Sequence, residues 1–383
     1  MQTNEGDARV AALPNGGPPP GRAWSAVAAR RGATMTRYLL LGADGHLGYQ
    51  IRRAVLESGR GSYLAAVSGD AWLAPEPTTG DWHRVDLVRA SVSDVTLLLD
   101  FTQPDVVINC TGCAAGPVDR LEAVNVSVVA KLLAALRRFG SSGSSALIHL
   151  GSAAEYGWQP PGLAIPESAT PRPSGDYGRT KLMATDLITK AAARGDVRAT
   201  VLRVFDPIGP GAPVHTVAGT ALREIRRAMA TGAMVVVHGQ LRAYRDFLAS
   251  VDVAAAVLRL ADSTGVPSIL NVGRGVPTSV RSMVELLAGA AGFDGDILES
   301  GEHRPPPAAI WQQADLTLLR HHLHWVPTTS VAEAVRALWW QSAGRPTVDG
   351  VGGTGVVRPL LSSVGPRPGR PTAAGRGTKA TRR

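Results

Sequence analysis

The chain has few cysteines and no long apolar run. Cys110 and Cys113 are the only cysteines among 383 residues, which excludes a disulfide framework and fits a reducing compartment. No apolar run approaches the ~20 residues that a membrane-spanning helix needs. Residues 1–31 lack the compact apolar stretch of a signal peptide. The sequence therefore predicts a cytoplasmic protein with no membrane partner.

Neither the cysteine pair nor a histidine cluster completes a metal site. Cys110 and Cys113 have the C-x-x-C spacing of a redox pair, but they follow the apolar run 106–108, and no second pair completes a zinc site. We interpret these cysteines as structural. A cluster near Trp325 lacks a carboxylate or cysteine ligand, so no metal is predicted there either: His321, His322 and His324.

The net charge of +9 is confined to the two ends of the chain. Residues 1–35 carry +2 and residues 342–383 carry +7, which leaves residues 36–341 neutral. Both ends are rich in Pro and Gly, and we predict them to be disordered extensions that touch polyanions only non-specifically. The sequence thus predicts one folded domain at 36–341 and no specific nucleic-acid partner. Met35 is an alternative start to Met1.

Short apolar runs alternate with helical patterns from Arg37 onward. This alternation is typical of a parallel sheet covered by helices on both faces, and it predicts an α/β, Rossmann-type doubly wound fold. The predicted strands are 37–41, 63–67, 106–109, 146–150 and 199–204, and the predicted helices between them are 48–58, 93–100, 123–139 and 177–193. From 206 onward, Pro/Gly loops and further elements predict a smaller C-terminal substrate-binding lobe: helices near 217–231, 251–262 and 278–291, and a strand near 234–238.

A glycine-rich turn follows the first predicted strand with the spacing G-x-x-G-x-x-G. The first glycine permits a tight turn, the second lets the backbone approach a pyrophosphate, and the third lets helix and strand pack closely. The helix N-terminus would then face the phosphates. Because the motif stands between a strand and a helix, we predict a dinucleotide site formed by Gly42, Gly45, His46, Leu47 and Gly48.

The choice between NAD(H) and NADP(H) depends on the end of the second predicted strand. NAD binders usually place an acid there, about 20 residues beyond the glycine motif. This strand ends without an acid, and Asp70 lies a little late. We therefore favour NADP(H) over NAD(H), because an acid would repel the 2′-phosphate. Asp86 and Leu87, after the third predicted strand, are further predicted cofactor contacts, with a surface position as the alternative for Asp86.

A tyrosine and a lysine lie four residues apart in a predicted helix, on the same face. We expect the charge of Lys181 to lower the pKa of Tyr177, which would make the phenol a general acid or base, and the lysine to hold the nicotinamide ribose. Ser152 follows the apolar run 147–150, at the carboxyl end of a strand, where ligands bind in such sheets. The predicted catalytic residues are Ser152, Tyr177 and Lys181, and the last two also contact the cofactor.

In their order along the chain, these motifs resemble the extended short-chain dehydrogenase/reductases of the sugar-nucleotide epimerase/dehydratase group. The resemblance covers roughly 37–341. Its blocks are the glycine turn, Asp86-Leu87, the strand 105–109, the helix around Asn125, Ser152 before Tyr156-Gly157, Tyr177 to Lys181, the turn 202–211, Arg245-Asp246-Phe247 and Asn271-Val272-Gly273.

The resemblance implies a sugar-nucleotide substrate and the residues that would hold it. Tyr177 would be the acid/base, while Arg245 and Arg304 would hold the substrate pyrophosphate, a role suited to guanidinium geometry. Asp206 stands where the family usually has Asn, which replaces an amide donor with a charge near the sugar nucleotide. The family resemblance also allows a homodimer.

Several reactions are compatible with the resemblance. Family dehydratases carry an Asp-Glu pair where this chain has Ala153 and Ala154, and the GDP-fucose synthase type has a Cys beside the serine, which is missing near Ser152. We predict NAD(P)H-dependent reduction of a 4-keto-6-deoxy sugar nucleotide, dTDP-linked, in deoxysugar and antibiotic biosynthesis. The alternatives are an NAD-dependent sugar-nucleotide 4-epimerase and a non-catalytic dinucleotide-binding sensor, which the presence of Tyr177 and Lys181 disfavours.

Overall fold

The computed structural model describes residues 36–59, 61–67, 81–140, 145–239, 241–299 and 310–343. The predicted extension 1–35 lies outside the described residues, and so does the predicted tail 342–383 apart from its first two residues. Asp70 and Arg304 are outside them as well.

Most β-strands of the described chain belong to one parallel sheet. The strands are β1 Thr36–Leu41, β2 Gly61–Val67, β3 Asp81–Arg84, β4 Val106–Asn109, β5 Ala146–Ser152, β6 Arg198–Val204, β7 Pro207–Ile208, β8 Val235–His238, β9 Tyr244–Arg245, β10 Leu248–Ala249, β11 Ile269–Val272, β12 Thr278–Ser279 and β13 Asp296–Glu299. The main sheet has the order β11-β6-β5-β4-β1-β2-β3, and all its pairings are parallel. The chain changes direction across the sheet between β1 and β4, a switch point of the kind at which ligands bind.

Helices cover both faces of this sheet and build the second lobe. They are α1 His46–Ser58, α2 Val92–Thr102, α3 Val118–Glu122, α4 Val128–Phe139, α5 Asp176–Ala193, α6 Val217–Thr231, α7 Ser250–Asp262, α8 Val280–Ala291, α9 Thr317–Leu323 and α10 Val331–Ala343. A π-helical turn, Ala123–Ser127, joins α3 to α4, and a 3₁₀ turn, Ala153–Glu155, follows β5. The α/β, Rossmann-type prediction is confirmed.

The two faces of the sheet carry separate hydrophobic cores because alternate strand residues point to opposite sides. Leu40 and Ile108 pack on the face covered by α1, α7 and α9, whereas Leu39 and Val107 pack on the face covered by α2, α4 and α5. All four residues of β4 are buried, as expected for a central strand with helices on both faces. The sheet therefore holds the loops at its carboxyl edge on a rigid base.

A third core builds the smaller lobe that the sequence predicts after residue 206. Ile225 of α6, Leu287 of α8 and Val335 of α10 are among its buried side chains. The two-stranded pairs β8/β13, β9/β12 and β7/β10 belong to the part of the chain that forms this lobe. The β9/β12 pair brings Arg245 opposite Thr278, so a predicted substrate-binding residue lies on this small sheet.

The structure contains elements that the sequence pattern did not predict. The pattern predicts one helix over 123–139, but a helix also forms at Val118–Glu122, and its junction with α4 is the π-helical turn that contains Asn125. The pattern also did not predict Ile269–Val272 as a strand, although it is an edge strand of the main sheet paired with β6. That pairing joins segments far apart in sequence, which local periodicity does not reveal.

Candidate active site

The glycine turn between β1 and α1 has the geometry that its three glycines predict. Gly42 has φ +74°, and a Cβ on it would lie 3.0 Å from the backbone of Cys110. A Cβ on Gly48 would lie 2.0 Å from the carbonyl oxygen of Gly42. The first glycine therefore permits the turn, and the third permits the close contact of helix and strand.

The N-terminus of α1 fits a dinucleotide phosphate. Gly45 is the N-cap, no described side chain caps the helix, and the first turn holds no acidic residue. Gly45 is exposed, and a Cβ added there would meet one atom within 4 Å, the carbonyl oxygen of Gly42 at 3.4 Å. The uncapped N–H groups and the helix dipole suit an anion, and the bare Gly45 backbone lets it approach.

His46 and Leu47 point away from that helix end into the protein. Leu47 packs against the core on the α7 side of the sheet. His46 Nε2 lies 3.7 Å, and Ser250 Oγ 1.9 Å, from the place that a Cβ on Gly209 would take, so both side chains meet the turn after β7. Burial lowers the pKa of His46 to about 4, so the imidazole is neutral near pH 7. Because both side chains point into the protein, these two residues would contact a dinucleotide through their backbone atoms.

Asp86 and Leu87 lie at the end of β3 but are engaged in the fold. Asp86 Oδ1 accepts hydrogen bonds from the backbone N–H groups of Val88 and Arg89, at 3.0 and 3.1 Å. Leu87 is 2% exposed, and its carbonyl oxygen accepts from Lys131 Nζ at 3.0 Å. The exposed Asp86 carboxylate keeps its Oδ2 for a second partner, and Arg89 Nε lies 3.6 Å from it.

Ser152, Tyr177 and Lys181 come together at the carboxyl end of β5. Ser152 is the last residue of this strand, and its side chain lies close enough to the Tyr177 phenol to act on its pKa. Lys181 Nζ donates to the carbonyl oxygen of Leu150 at 2.5 Å. Gly178 makes this approach sterically feasible, because a Cβ there would lie 2.5 Å from the carbonyl oxygen of Ala154.

The charges of this group differ from the sequence-based expectation. Burial raises the pKa of Tyr177, while the hydrogen bond with Ser152 opposes that rise. Burial also lowers the pKa of Lys181 to about 8. The expected lowering of the tyrosine pKa by the lysine charge is wrong for this arrangement, because Lys181 is directed to Leu150 and burial dominates. The phenol is therefore protonated at neutral pH.

Glu155 is a site residue that the sequence reasoning missed. It is fully buried beneath the Ser152 turn, where its Oε1 accepts the Ser152 N–H at 2.8 Å and its Oε2 accepts from Thr185 Oγ1 at 2.9 Å. Arg203 Nε completes an ion pair with Oε2 at 2.8 Å, and the guanidinium stacks over the Tyr156 ring at 4.5 Å. Arg203, a charged residue next to the last position of β6, was the available sequence signal.

Asn125 fixes the loop that lies against Tyr177. Its side chain accepts from the backbone N–H of Cys113 and donates to the carbonyl oxygen of the same residue, both at 2.8 Å. It also donates to Thr180 Oγ1 in α5 at 2.9 Å. The π-helical turn places Asn125 between the loop and α5, so it ties the end of β4 to the helix that carries Tyr177.

His149 is a second buried histidine below the site. Its Nδ1 lies 3.1 Å from Asn109 Nδ2, and Asn109 Oδ1 accepts from Thr111 Oγ1 at 2.6 Å. An amide nitrogen can only donate, so Nδ1 is the acceptor and the proton of the ring lies on Nε2. Burial, followed by the charge of Lys181, lowers the pKa of His149 well below its ordinary value.

Asp206 and Arg245, two of the predicted substrate-binding residues, face each other. Arg245 Nη1 lies 3.9 Å from Asp206 Oδ2 and donates to Gln312 Oε1 at 2.8 Å. Arg304, the other predicted pyrophosphate ligand, lies outside the described residues. The structure thus brings two of the three predicted substrate-binding residues together.

Asp246, beside Arg245, anchors the loops of the substrate side. Its carboxylate accepts from the backbone N–H groups of Arg274, Gly275 and Ala314 at 2.7, 2.8 and 2.9 Å. It is fully buried, and burial raises its pKa to about 6 against the effect of these hydrogen bonds. Asp246 therefore ties the segment 274–275 to the segment at Ala314, next to the predicted substrate-binding residue Arg245.

In the described ranges, no group of three or more His, Cys, Asp or Glu side chains could hold a metal ion. No helix in the part of the chain that the structure describes is long and apolar enough to cross a membrane.

Comparisons with known proteins agree with this arrangement. The model of the NAD dependent epimerase/dehydratase family matches residues 38–273. The dTDP-6-deoxy-L-talose 4-dehydrogenase (NAD(P)(+)) of Kitasatospora kifunensis is 33% identical over 81% of this chain and 96% of its own length. The GDP-6-deoxy-D-mannose reductase of Pseudomonas aeruginosa is 30% identical over 74% of this chain and 93% of its own length.

Two further matches extend the comparison. A solved structure of RMD from Pseudomonas aeruginosa complexed with NADPH has a TM-score of 0.66 and 26% identity, covering 80% of this chain and 100% of that chain. A UDP-glucose 4-epimerase of Mycolicibacterium smegmatis is 25% identical over 78% of this chain and 96% of its own length. The similar proteins thus include both reductases and epimerases.

Proposed function

The chain belongs to the NAD-dependent epimerase/dehydratase family, and we propose that it reduces the 4-keto group of a dTDP-linked 6-deoxy sugar nucleotide. When bound, the nicotinamide dinucleotide supplies the hydride, with NADPH in preference to NADH. The observation that carries this proposal is the grouping of Ser152, Tyr177 and Lys181 at the carboxyl end of β5, where burial raises the pKa of the Tyr177 phenol. The names of two similar proteins, a 4-dehydrogenase at 33% identity and a reductase at 30% identity, support it.

A neutral phenol suits carbonyl reduction because that reaction needs an acid. Tyr177 donates its proton to the ketone oxygen as that oxygen gains negative charge, and the Ser152 hydroxyl orients the same oxygen. Lys181 uses one of its three N–H donors on Leu150 and keeps two for a ribose hydroxyl of the cofactor. Oxidation of a sugar alcohol, the first step of an epimerase, would instead require the phenolate.

The turn after Ser152 disfavours elimination of water. Ala153 and Ala154 carry no carboxylate. The next acid, Glu155, is fully buried and bonded to Arg203, Thr185 and the Ser152 backbone. A carboxylate held by three partners is not free to exchange a proton with a substrate, so a dehydratase reaction has no acid/base pair here.

A 4-epimerase is the second candidate function, and the match to the UDP-glucose 4-epimerase favours it. An epimerase uses the same Ser152, Tyr177 and Lys181 but returns the hydride to the sugar. It must keep its reduced cofactor until turnover is complete, so it should purify with dinucleotide bound and show no net redox change. Net consumption of NADPH therefore separates the two functions.

The experiment incubates the purified full chain with a dTDP-4-keto-6-deoxyhexose and NADPH or NADH. We expect absorbance at 340 nm to fall in proportion to product, with NADPH more effective than NADH. Interconversion of two 4-epimeric sugar nucleotides without added cofactor, at constant absorbance, would establish the epimerase instead. Predicted roles in deoxysugar and antibiotic biosynthesis, and the cytoplasmic location, stay predictions.

A further inference from the structure

Asp206 and Arg245 form an incomplete ion pair. The shortest approach, from Arg245 Nη1 to Asp206 Oδ2, is 3.9 Å, which is too long for a hydrogen bond. Asp206 Oδ2 and Arg245 Nε have no solvent access and no hydrogen-bond partner among the described residues. The two side chains are 27% and 13% exposed, so the pair lies at the wall of the site.

Arg245 is the one cation described beside two carboxylates, those of Asp206 and Asp246. Arg245 on β9 faces Asp206, Asp246 follows Arg245, and Tyr177 on α5 lies close enough for its pKa to rise through the charge of Asp206. His46, the first residue of α1, points its side chain at the turn after β7, and its imidazole is neutral near pH 7. The Asp246 carboxylate accepts hydrogen bonds from three backbone N–H groups and does not depend on Arg245. Arg245 is therefore available as the counter-ion of Asp206.

A diphosphate bound at Arg245 changes this balance. Guanidinium groups bind phosphate through paired hydrogen bonds. Arg245 Nε has no hydrogen-bond partner among the described residues and can donate one of them. The phosphate charge would then compete with Asp206 for Arg245 and lie close to the ionised carboxylate. Like charges at close range raise the pKa of a carboxyl group, and burial already raises the pKa of Asp206.

We propose that Asp206 is the counter-ion of Arg245 in the empty site and takes up one proton when a sugar-nucleotide diphosphate binds Arg245, an inference that rests on the proposed function. The proton comes from solvent and binds the Asp206 carboxylate, whose O–H then donates to a phosphate oxygen. Proton uptake makes binding tighter as the pH falls, with an affinity change of at most about tenfold per pH unit. Asp206 is thereby the residue that sets the pH dependence of substrate binding.

The test is calorimetric titration of the full chain, saturated with NADPH, with dTDP-glucose, GDP-mannose and UDP-glucose. In these sugar nucleotides both phosphates are esterified, so the diphosphate keeps a constant charge near neutral pH. Any proton taken up on binding therefore binds the protein. Titrations at one pH in buffers of different ionisation enthalpy count the protons. We expect uptake approaching one proton per site and an affinity that falls as the pH rises from about 6 to about 8.

Two variants locate the proton. Asp206→Asn should bind with clearly less proton uptake than wild type, with an affinity that changes less with pH and is higher than that of wild type at the upper end of the range. Asp186→Asn, which changes an exposed aspartate on α5, should keep the wild-type uptake. Unchanged NADPH affinity and melting temperature serve as the folding control for both variants.

The possible failures are distinguishable. If wild type binds a sugar nucleotide without proton uptake, or Asp206→Asn keeps the uptake, the role of Asp206 is overturned and the proposed function stands. If wild type binds none of the three sugar nucleotides at any pH, this inference fails, whereas the proposed function is decided separately by the fall in absorbance at 340 nm with a dTDP-4-keto-6-deoxyhexose.

Discussion

Burial sets the ionisation of Tyr177 and Lys181, and it moves both toward the neutral form. It raises the pKa of the phenol and lowers that of the ammonium group to about 8. Both residues belong to α5, and their side chains reach the carboxyl end of β5. There Ser152 lies beside the phenol and the Leu150 carbonyl oxygen accepts a hydrogen bond from the lysine. At the residue scale, these shifts favour the proposed role of Tyr177 as an acid, with Ser152 as the orienting hydroxyl, over a preformed phenolate.

Replacing Tyr177 tests this acid directly. Tyr177→Phe should lower turnover by a factor on the order of 10²–10⁴ while leaving cofactor affinity nearly unchanged, because the variant removes the proton donor and little else. Steady-state turnover at 340 nm and a dinucleotide titration measure the two effects.

Tyr156→Phe is the matched control for that variant. The Tyr156 hydroxyl is buried and donates to Asn271 Oδ1 at 2.6 Å, away from the Ser152–Tyr177 contact. This change should cost about 1–3 kcal/mol of unfolding free energy and keep near wild-type turnover. Tyr177 would lose its proposed role if Tyr177→Phe retained near wild-type turnover.

At the element scale, two glycines of the turn before α1 have separable roles. Gly48→Ala should destabilise the protein by about 1–3 kcal/mol, because its Cβ would lie 2.0 Å from the Gly42 carbonyl oxygen. Gly45→Ala should fold normally, because its Cβ would be 3.4 Å from that oxygen, but it should weaken dinucleotide binding at least about tenfold. Thermal melts and dinucleotide titrations separate these effects. Normal dinucleotide binding by folded Gly45→Ala would show that the phosphates do not lie over Gly45.

The 3₁₀ turn after β5 depends on one buried carboxylate. Glu155→Gln keeps the size of the side chain but leaves Arg203, which is 3% exposed, without its counter-charge. We expect a loss of about 3–5 kcal/mol in urea unfolding. Glu285→Gln, in the exposed pair with Arg281 at 3.8 Å, is the control and should cost less than about 1 kcal/mol. Equal costs for the two variants would contradict the structural role of Glu155.

The sequence predicted local features better than contacts between distant segments. The turn at Gly42 to Gly48 and the grouping of Ser152 with Tyr177 follow from strand, helix and spacing, because parallel strands end at one edge. Glu155 was missed because its partners Thr185 and Arg203 lie 30 and 48 residues away. The π-helical turn and the strand β11 were missed for the same reason, since side-chain contacts and pairing with β6 determine them.

At the scale of the whole molecule, buried ionisable groups act on acid stability in opposite directions. His46 and His149 have pKa values lowered by burial, so in acid they bind protons mainly in the unfolded state, which destabilises the fold. Asp246, with its pKa raised to about 6, binds its proton first in the folded state and opposes this effect between about pH 6 and 4. The melting temperature of wild type alone therefore does not isolate either contribution.

A comparison of variants isolates the histidine contribution. The folded-state pKa of His46 is about 4, against 6.5 for an ordinary histidine, so its contribution to stability is complete above pH 6.5 and is lost as the pH falls toward 4. His46→Gln removes this titration. The stability of wild type relative to the variant should therefore fall by about 2–3 kcal/mol between pH 7 and pH 4, measured by urea unfolding at each pH. His321→Gln, at an exposed position of α9, is the control and should leave the pH profile close to that of wild type. A constant difference between wild type and His46→Gln across this range would show that His46 is not held neutral by the fold.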